Sequence, residues 1–145
     1  MVFTRLLRYE PMSLKPKGTP LPQAVNKSLL ALAGLGGAVG VGLAAAGTHT
    51  GQAELGIAAN FLLFHAAALI GIAQLKGNRL ATAAGWVLVA GLILFAGDLI
   101  VLSTRGASPL PIAAPIGGSL LILGWLLLAL SALVGRRGGG NDLPP

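Results

Sequence analysis

The chain has no cysteine, which excludes disulfides, thiol catalysis and cysteine-ligated metal or iron–sulfur centres. Charge is scarce as well: Asp, Glu, Lys and Arg together make 10% of the residues, against roughly 25% in soluble domains. With 54% hydrophobic residues and a mean hydropathy of +0.82, that shortage rules out a soluble fold. No Ser-His-Asp grouping, phosphate-binding loop or spaced pair of metal ligands occurs, so the chain reads as non-enzymatic and without a cofactor. The net charge of +6 comes with no aromatic–basic platform or recognition helix, so nucleic acid is not the partner it implies. At 145 residues there is room for one domain.

What the chain has instead is apolar length. Residues 28–46 run without a charge for about the ~20 residues a helix needs to cross a bilayer. Three more runs follow, at 56–75, 80–102 and 113–134, separated by short polar joints. Pro115 falls in the first turn of the last run, where a missing N–H costs little. The fold class is therefore all-α and integral to the membrane, four transmembrane helices in an up-down bundle. Residues 1–27 form a basic arm and 135–145 a flexible tail.

The basic residues are distributed unevenly. Arg5, Arg8, Lys15, Lys17, Lys27, Lys76, Arg79, Arg136 and Arg137 fall on one side of a four-span model, and Arg105 alone on the other. By the positive-inside bias both termini are expected in the cytoplasm. Arg5, Arg8, Lys15 and Lys17 are expected at the membrane surface. Their segment reads either as a short interfacial helix with Val2, Phe3, Leu6 and Tyr9 on one face, or as an extended tail.

Small residues are arranged in rows. Ala33, Gly36, Gly40, Ala44 and Gly47 share one face of the first span, with Gly36 and Gly40 forming a GxxxG, and Gly34, Ala38 and Gly42 form a second row. Gly117, Gly124 and Ser131, seven apart, give the fourth span its own small face. Such faces let backbones approach closely in lipid, so the first span is expected to be the helix the others pack around.

Few polar residues interrupt the spans. Asp98 is the only acidic one, about 6 Å below the outer interface, and His49 lies just past the first span at a similar level. Asp98 is read as reaching interfacial water at this shallow depth, the alternative being a polar clasp with His49 and Arg105 nearby. His65 falls near mid-bilayer, roughly 15 Å from the level of His49, which disfavours haem held between the two imidazoles of one subunit. A buried histidine of this kind is expected to hydrogen-bond to a neighbouring helix, and Asn60 and Gln74 are read in the same way.

From residue 28 onward the chain resembles a family of small inner-membrane proteins typified by bacterial YgdD and YwdK, a domain of unknown function (four hundred and twenty-three). The family's GAFGAH looks like Ala44-Ala45-Ala46-Gly47-Thr48-His49, and its HALALL like His65-Ala66-Ala67-Ala68-Leu69-Ile70. Its AGW and LAGILLFSGSLY look like Ala84-Gly85-Trp86 and the segment from Val89 to Ile100. Its TPxGG and GW look like Ala114-Pro115-Ile116-Gly117-Gly118 and Gly124-Trp125. The chain departs at Ala46, Asp98 and Ile100, where the family has Phe, Ser and Tyr; its first joint is shorter, and its basic arm is additional. The resemblance implies a four-helix protein of the bacterial inner membrane and no established activity.

The functional expectation is a non-enzymatic accessory or structural subunit that meets the lipid bilayer and other membrane subunits, or itself, through its small-residue faces. The alternative is a small ion-coupled transporter or channel using Asp98 and His65. The basic lead followed by residues 28–46 also has the outline of a signal peptide cut after Ala46, but the lead is long and the run exceeds the ~7–15 residues of a signal core. Intact mass spectrometry of the membrane-extracted protein is expected to return the full 14.5 kDa chain; a species lacking the first 46 residues would remove the four-span reading.

Overall fold

The structure, a computed structural model, describes residues 25–75, 77–108 and 110–134. The expected arm with Arg5, Arg8, Lys15 and Lys17, and the expected tail, lie outside the described residues. Four helices make up the fold: α1 Lys27–Thr50, α2 Ala53–Ala73, α3 Arg79–Arg105 and α4 Ala113–Val134. All four are long and apolar enough to cross a membrane, and no strand occurs among the described residues.

α1 and α3 begin and end by the same local chemistry. Asn26 Oδ1 accepts from the Leu29 amide at 3.2 Å, and Asn78 Oδ1 from the Ala81 amide at 3.0 Å, each satisfying one of the free N–H groups of a first turn. At the other end Gly51 (φ 69°) and Gly106 (φ 71°) take the left-handed conformation that stops a helix, and each donates its N–H back to a carbonyl four residues earlier. α1 thus runs on past Ala46 as far as Thr50. The Thr48 and Thr50 hydroxyls are taken up by the Ala44 and Ala46 carbonyls at 2.9 Å, so polar side chains are accommodated in the last turn. His49, expected in a turn beyond the first span, is inside that last helical turn and exposed.

The helices pack in chain order, α1 on α2, α2 on α3 and α3 on α4. α1 meets α3 only slightly, where Leu29 lies over Gly85, and it does not reach α4. The expectation that α1 is the hub is therefore corrected: α1 and α4 flank a central α2–α3 pair. The reason lies in which small residues are used. Gly40 and Gly47 let α2 approach, but Gly34 and Gly42 on the second row face open space. Gly36 makes only an ordinary contact, 3.9 Å from its Cβ position to Leu62, so the GxxxG pair is tight at one of its two ends.

Among the described glycines the tightest helix contact is between α3 and α4. A Cβ on Gly117 would stand 2.5 Å from the Phe95 nitrogen and 2.8 Å from the Gly91 carbonyl oxygen; one on Gly91 would stand 2.9 Å from the Gly117 oxygen. Here backbone meets backbone, and no side chain can move to make room. One further residue along the heptad step, Gly124 receives the Leu88 side chain, whose nearest carbon would be 2.6 Å from an added Cβ, and Ser131 is fully buried. The apolar core runs alongside, built on Leu29, Leu62, Leu69, Leu88, Leu92 and Leu121.

Hydrogen bonds tie the helix ends. The Asn26 amide donates to the Ala73 carbonyl at 2.9 Å and Asn78 Nδ2 to the Ser131 carbonyl at 3.1 Å, so two helix starts are fastened to two antiparallel helix ends. At the far end Gln52 Nε2 donates to the Ser103 carbonyl at 2.9 Å.

Substituting Gly117 or Gly91 by Ala is expected to destabilise the fold by about 1–3 kcal/mol or more, because overpacking here strikes backbone. Gly34→Ala, in open space, is expected to change stability by less than about 1 kcal/mol. Unfolding in mixed micelles titrated with SDS measures both.

Candidate functional site

His65 is a buried polar side chain with a contact at each ring nitrogen. It projects from the middle of α2 and is 6% exposed. Its Nδ1 lies 2.7 Å from the Phe61 carbonyl oxygen one turn earlier, and its Nε2 lies 3.3 Å from Trp125 Nε1 on α4. These two partners decide the tautomer. A carbonyl only accepts and an indole N–H only donates, so Nδ1 carries the proton and Nε2 accepts. Both imidazole nitrogens are thus occupied.

Aromatic rings complete the setting. The Phe61 ring lies nearly parallel to the imidazole, 11° between planes with centroids 5.8 Å apart, and Phe61 packs on Phe95 at 4.4 Å. Trp125 is tilted 59° to the imidazole at 5.9 Å. Phe95 is the residue whose backbone meets Gly117, so the closest helix crossing and the histidine cluster adjoin. Among the described residues the Trp125–His65 bond is the hydrogen bond that links α2 to α4, two helices whose backbones do not pack on each other.

Asp98, read as reaching interfacial water or else as approaching His49, has Ser108 as its partner. Its Oδ1 accepts a short hydrogen bond from the Ser108 hydroxyl, in the joint between α3 and α4, and the side chain is half-buried. No hydrogen bond joins it to His49 or Arg105, both exposed in the last turns of their helices. The geometry explains the correction. α3 stops at left-handed Gly106, which returns the chain over the last turns of α3 and brings Ser108 to Asp98, whereas α1 touches α3 only near the opposite end.

Asn60 and Gln74 also differ from expectation. Both side chains are exposed, and neither makes a side-chain hydrogen bond among the described residues. The described residues hold no group of three or more His, Cys, Asp or Glu side chains placed to bind a metal. An apolar cleft of about 300 Å³ is walled by α1 and α3 over α2, with Leu32, Val39, Leu69, Val89 and Ile100 among its lining.

Two features escaped the sequence reading. Gly91 is half of the closest helix contact, and its signal was the seven-residue step from Ala84 to Gly91, which mirrors Gly117 to Gly124. The His65–Trp125 pair had no signal, since the two residues are sixty positions apart and each is alone in its span.

Four membrane-crossing helices, closed on themselves by glycine contacts and one interhelical histidine, define a small multi-pass α-helical membrane protein. The chain belongs to the family described as Protein of unknown function (DUF423), whose model matches residues 26–118, from the cap of α1 to the first turns of α4. It is similar to UPF0382 membrane protein YwdK of Bacillus subtilis, 29% identical over 74% of this chain and 97% of the relative. Similar too are UPF0382 membrane protein SAB0533 of Staphylococcus aureus, 30% identical over 72% and 94%, and UPF0382 inner membrane protein YgdD of Escherichia coli, 27% identical over 79% and 95%. No solved structure matches the chain.

A double-mutant cycle of His65→Leu and Trp125→Phe is expected to return a coupling of about 0.6 kcal/mol, with ~1.7 as the upper end for hydrogen bonds in membrane bundles. SDS-driven unfolding of the four variants measures it, and additive effects would show that the bond contributes nothing.

Proposed function

We propose that the protein is a non-enzymatic accessory or structural subunit of a larger complex in the bacterial inner membrane, with both termini in the cytoplasm. The observation that carries this reading is the saturation of His65. Its two nitrogens are occupied by the Phe61 carbonyl and the Trp125 indole, which leaves no lone pair for a metal and no vacant site for a relayed proton. Asp98 is likewise engaged by Ser108. Those were the two side chains on which a transporter would depend. What remains unengaged lies outside, including the second small-residue row of α1, where Gly34 and Gly42 meet nothing and allow another helix to come close.

The orientation rests on the basic residues. Asn26 and Asn78 start helices that run the same way, so Lys27 and Arg79 stand at one end of the bundle and Arg105 at the other. The Escherichia coli relative carries the name inner membrane protein, which supports the choice of membrane.

Extraction of the tagged protein from its native membrane in mild detergent, followed by native electrophoresis and mass spectrometry, is expected to recover it in stoichiometric association with a larger complex. Migration as a free monomer or small homo-oligomer would overturn the subunit reading. Asp98→Asn is expected to cost stability at most; loss of a measured transport activity would favour the transporter.

A further inference from the structure

α1 and α3 meet where Leu29 lies over Gly85 and part beyond that point. The apolar cleft between them starts one turn further on, at Leu32 and Val89. It reaches Val39 on α1 and Ile100 on α3, about 16 Å along the α3 axis, with Leu62 and Leu69 of α2 as its floor. The Leu29 contact bounds it at one end, and at the other it runs toward the last turns of α3. Every residue that lines it is Leu, Ile, Val, Ala or Gly.

That lining narrows what can fill the cleft. Water needs polar partners, and no polar side chain is supplied. Left empty, the walls would lose the dispersion contacts on which helix packing in lipid depends. A neighbouring helix needs small residues to bring its backbone close. Here the outermost lining residues are branched: Leu35 is 64%, Val39 48% and Ile93 66% exposed. They hold a helix backbone off, while a thin flexible chain passes between them. The size agrees. An apolar cavity of ~150 Å³ takes a benzene ring, so the cleft's volume of about 300 Å³ has room for roughly a dozen carbons.

We infer that the α1–α3 cleft is a binding site for one phospholipid acyl chain, held as part of the bundle. The charge beyond its open end agrees with a phospholipid. Arg105, in the last turn of α3, is exposed about 7.5 Å past Ile100 along the helix axis. The phosphate of a lipid whose chain lies in the cleft stands at that level, and an exposed guanidinium matches it. Asp98, the carboxylate on the same stretch of α3, is engaged by Ser108. The site lies on the inner side of α1, whereas Gly34 of the free small-residue row is on the opposite face, so lipid binding stands apart from the accessory reading.

Native mass spectrometry of the full chain, washed in excess dodecyl maltoside, is expected to show one retained phospholipid per chain. Gly36→Leu and Gly97→Leu each place a side chain in the cleft without striking backbone. A Cβ at Gly36 makes only an ordinary contact with Leu62, and one at Gly97 meets nothing. Each substitution is expected to lower lipid retention about tenfold, and Gly34→Leu, in open space on the opposite face of α1, to leave it unchanged. Dioleoylphosphatidylglycerol added to delipidated protein is expected to rebind to the wild type and Gly34→Leu, and not to Gly97→Leu. The two cleft substitutions sit on different helices, so a folding defect in one, read from its SDS unfolding fraction, leaves the other as the test. A wild-type chain free of lipid overturns the site, as does equal retention in Gly34→Leu and the cleft variants. Loss of a co-purifying protein from the cleft variants with lipid unchanged also overturns it, and gives the cleft to a partner helix. Recovery of a larger complex neither requires nor forbids the retained lipid, so the two readings fail separately.

Discussion

The backbone contact between Gly91 and Gly117 is the constraint on which the rest of the arrangement depends. In lipid, burial of apolar side chains gives little net gain, because the chain leaves one hydrocarbon environment for another. What remains is close packing, and two backbones can touch only where neither residue has a Cβ. By bringing α4 onto α3 at that point, the contact places Gly124 under Leu88 and buries Ser131 at the far end. It also sets the height of α4, which brings the Trp125 indole to the level of His65. A single missing carbon on each helix thus aligns a contact between α4 and a helix it does not otherwise pack against.

The polar side chains fall into two groups, and the division carries the functional reading. Inside, each is matched by a group of opposite hydrogen-bonding character: His65 with a carbonyl and an indole, Asp98 with a hydroxyl, Asn78 with an amide N–H and a carbonyl. Groups bonded in this way help to hold a bundle together. Outside, Asn60 is exposed on the face of α2 and makes no side-chain hydrogen bond among the described residues.

Much of the architecture was legible beforehand, through features that depend on nearby residues alone. The Asn caps, the stopping glycines and the apolar runs all act over a turn or two, and the helices formed where those signals stood. The rows of small residues were visible too, but their use was not. Gly40 and Gly47 meet α2 while Gly34 and Gly42 face outward, although all four stand in similar rows of one helix. The alternative pairing of Asp98 with His49 rested on equal depth alone, and depth is one coordinate of three.

The sequence by itself determined that this protein crosses the membrane four times, since apolar length and charge are local quantities that no packing can alter. It also determined which residues share a helix face, through the 3.6-residue period. Only the tertiary structure decided which face meets which. It put α1 at the flank, set the Gly91–Gly117 crossing, fixed the proton of His65 on Nδ1 and left Asn60 on the outside. The physical reason is that the helical period assigns each residue an angle about its own axis, whereas a contact depends on the position and rotation of two axes at once. Close-packing of all four helices is what fixes those.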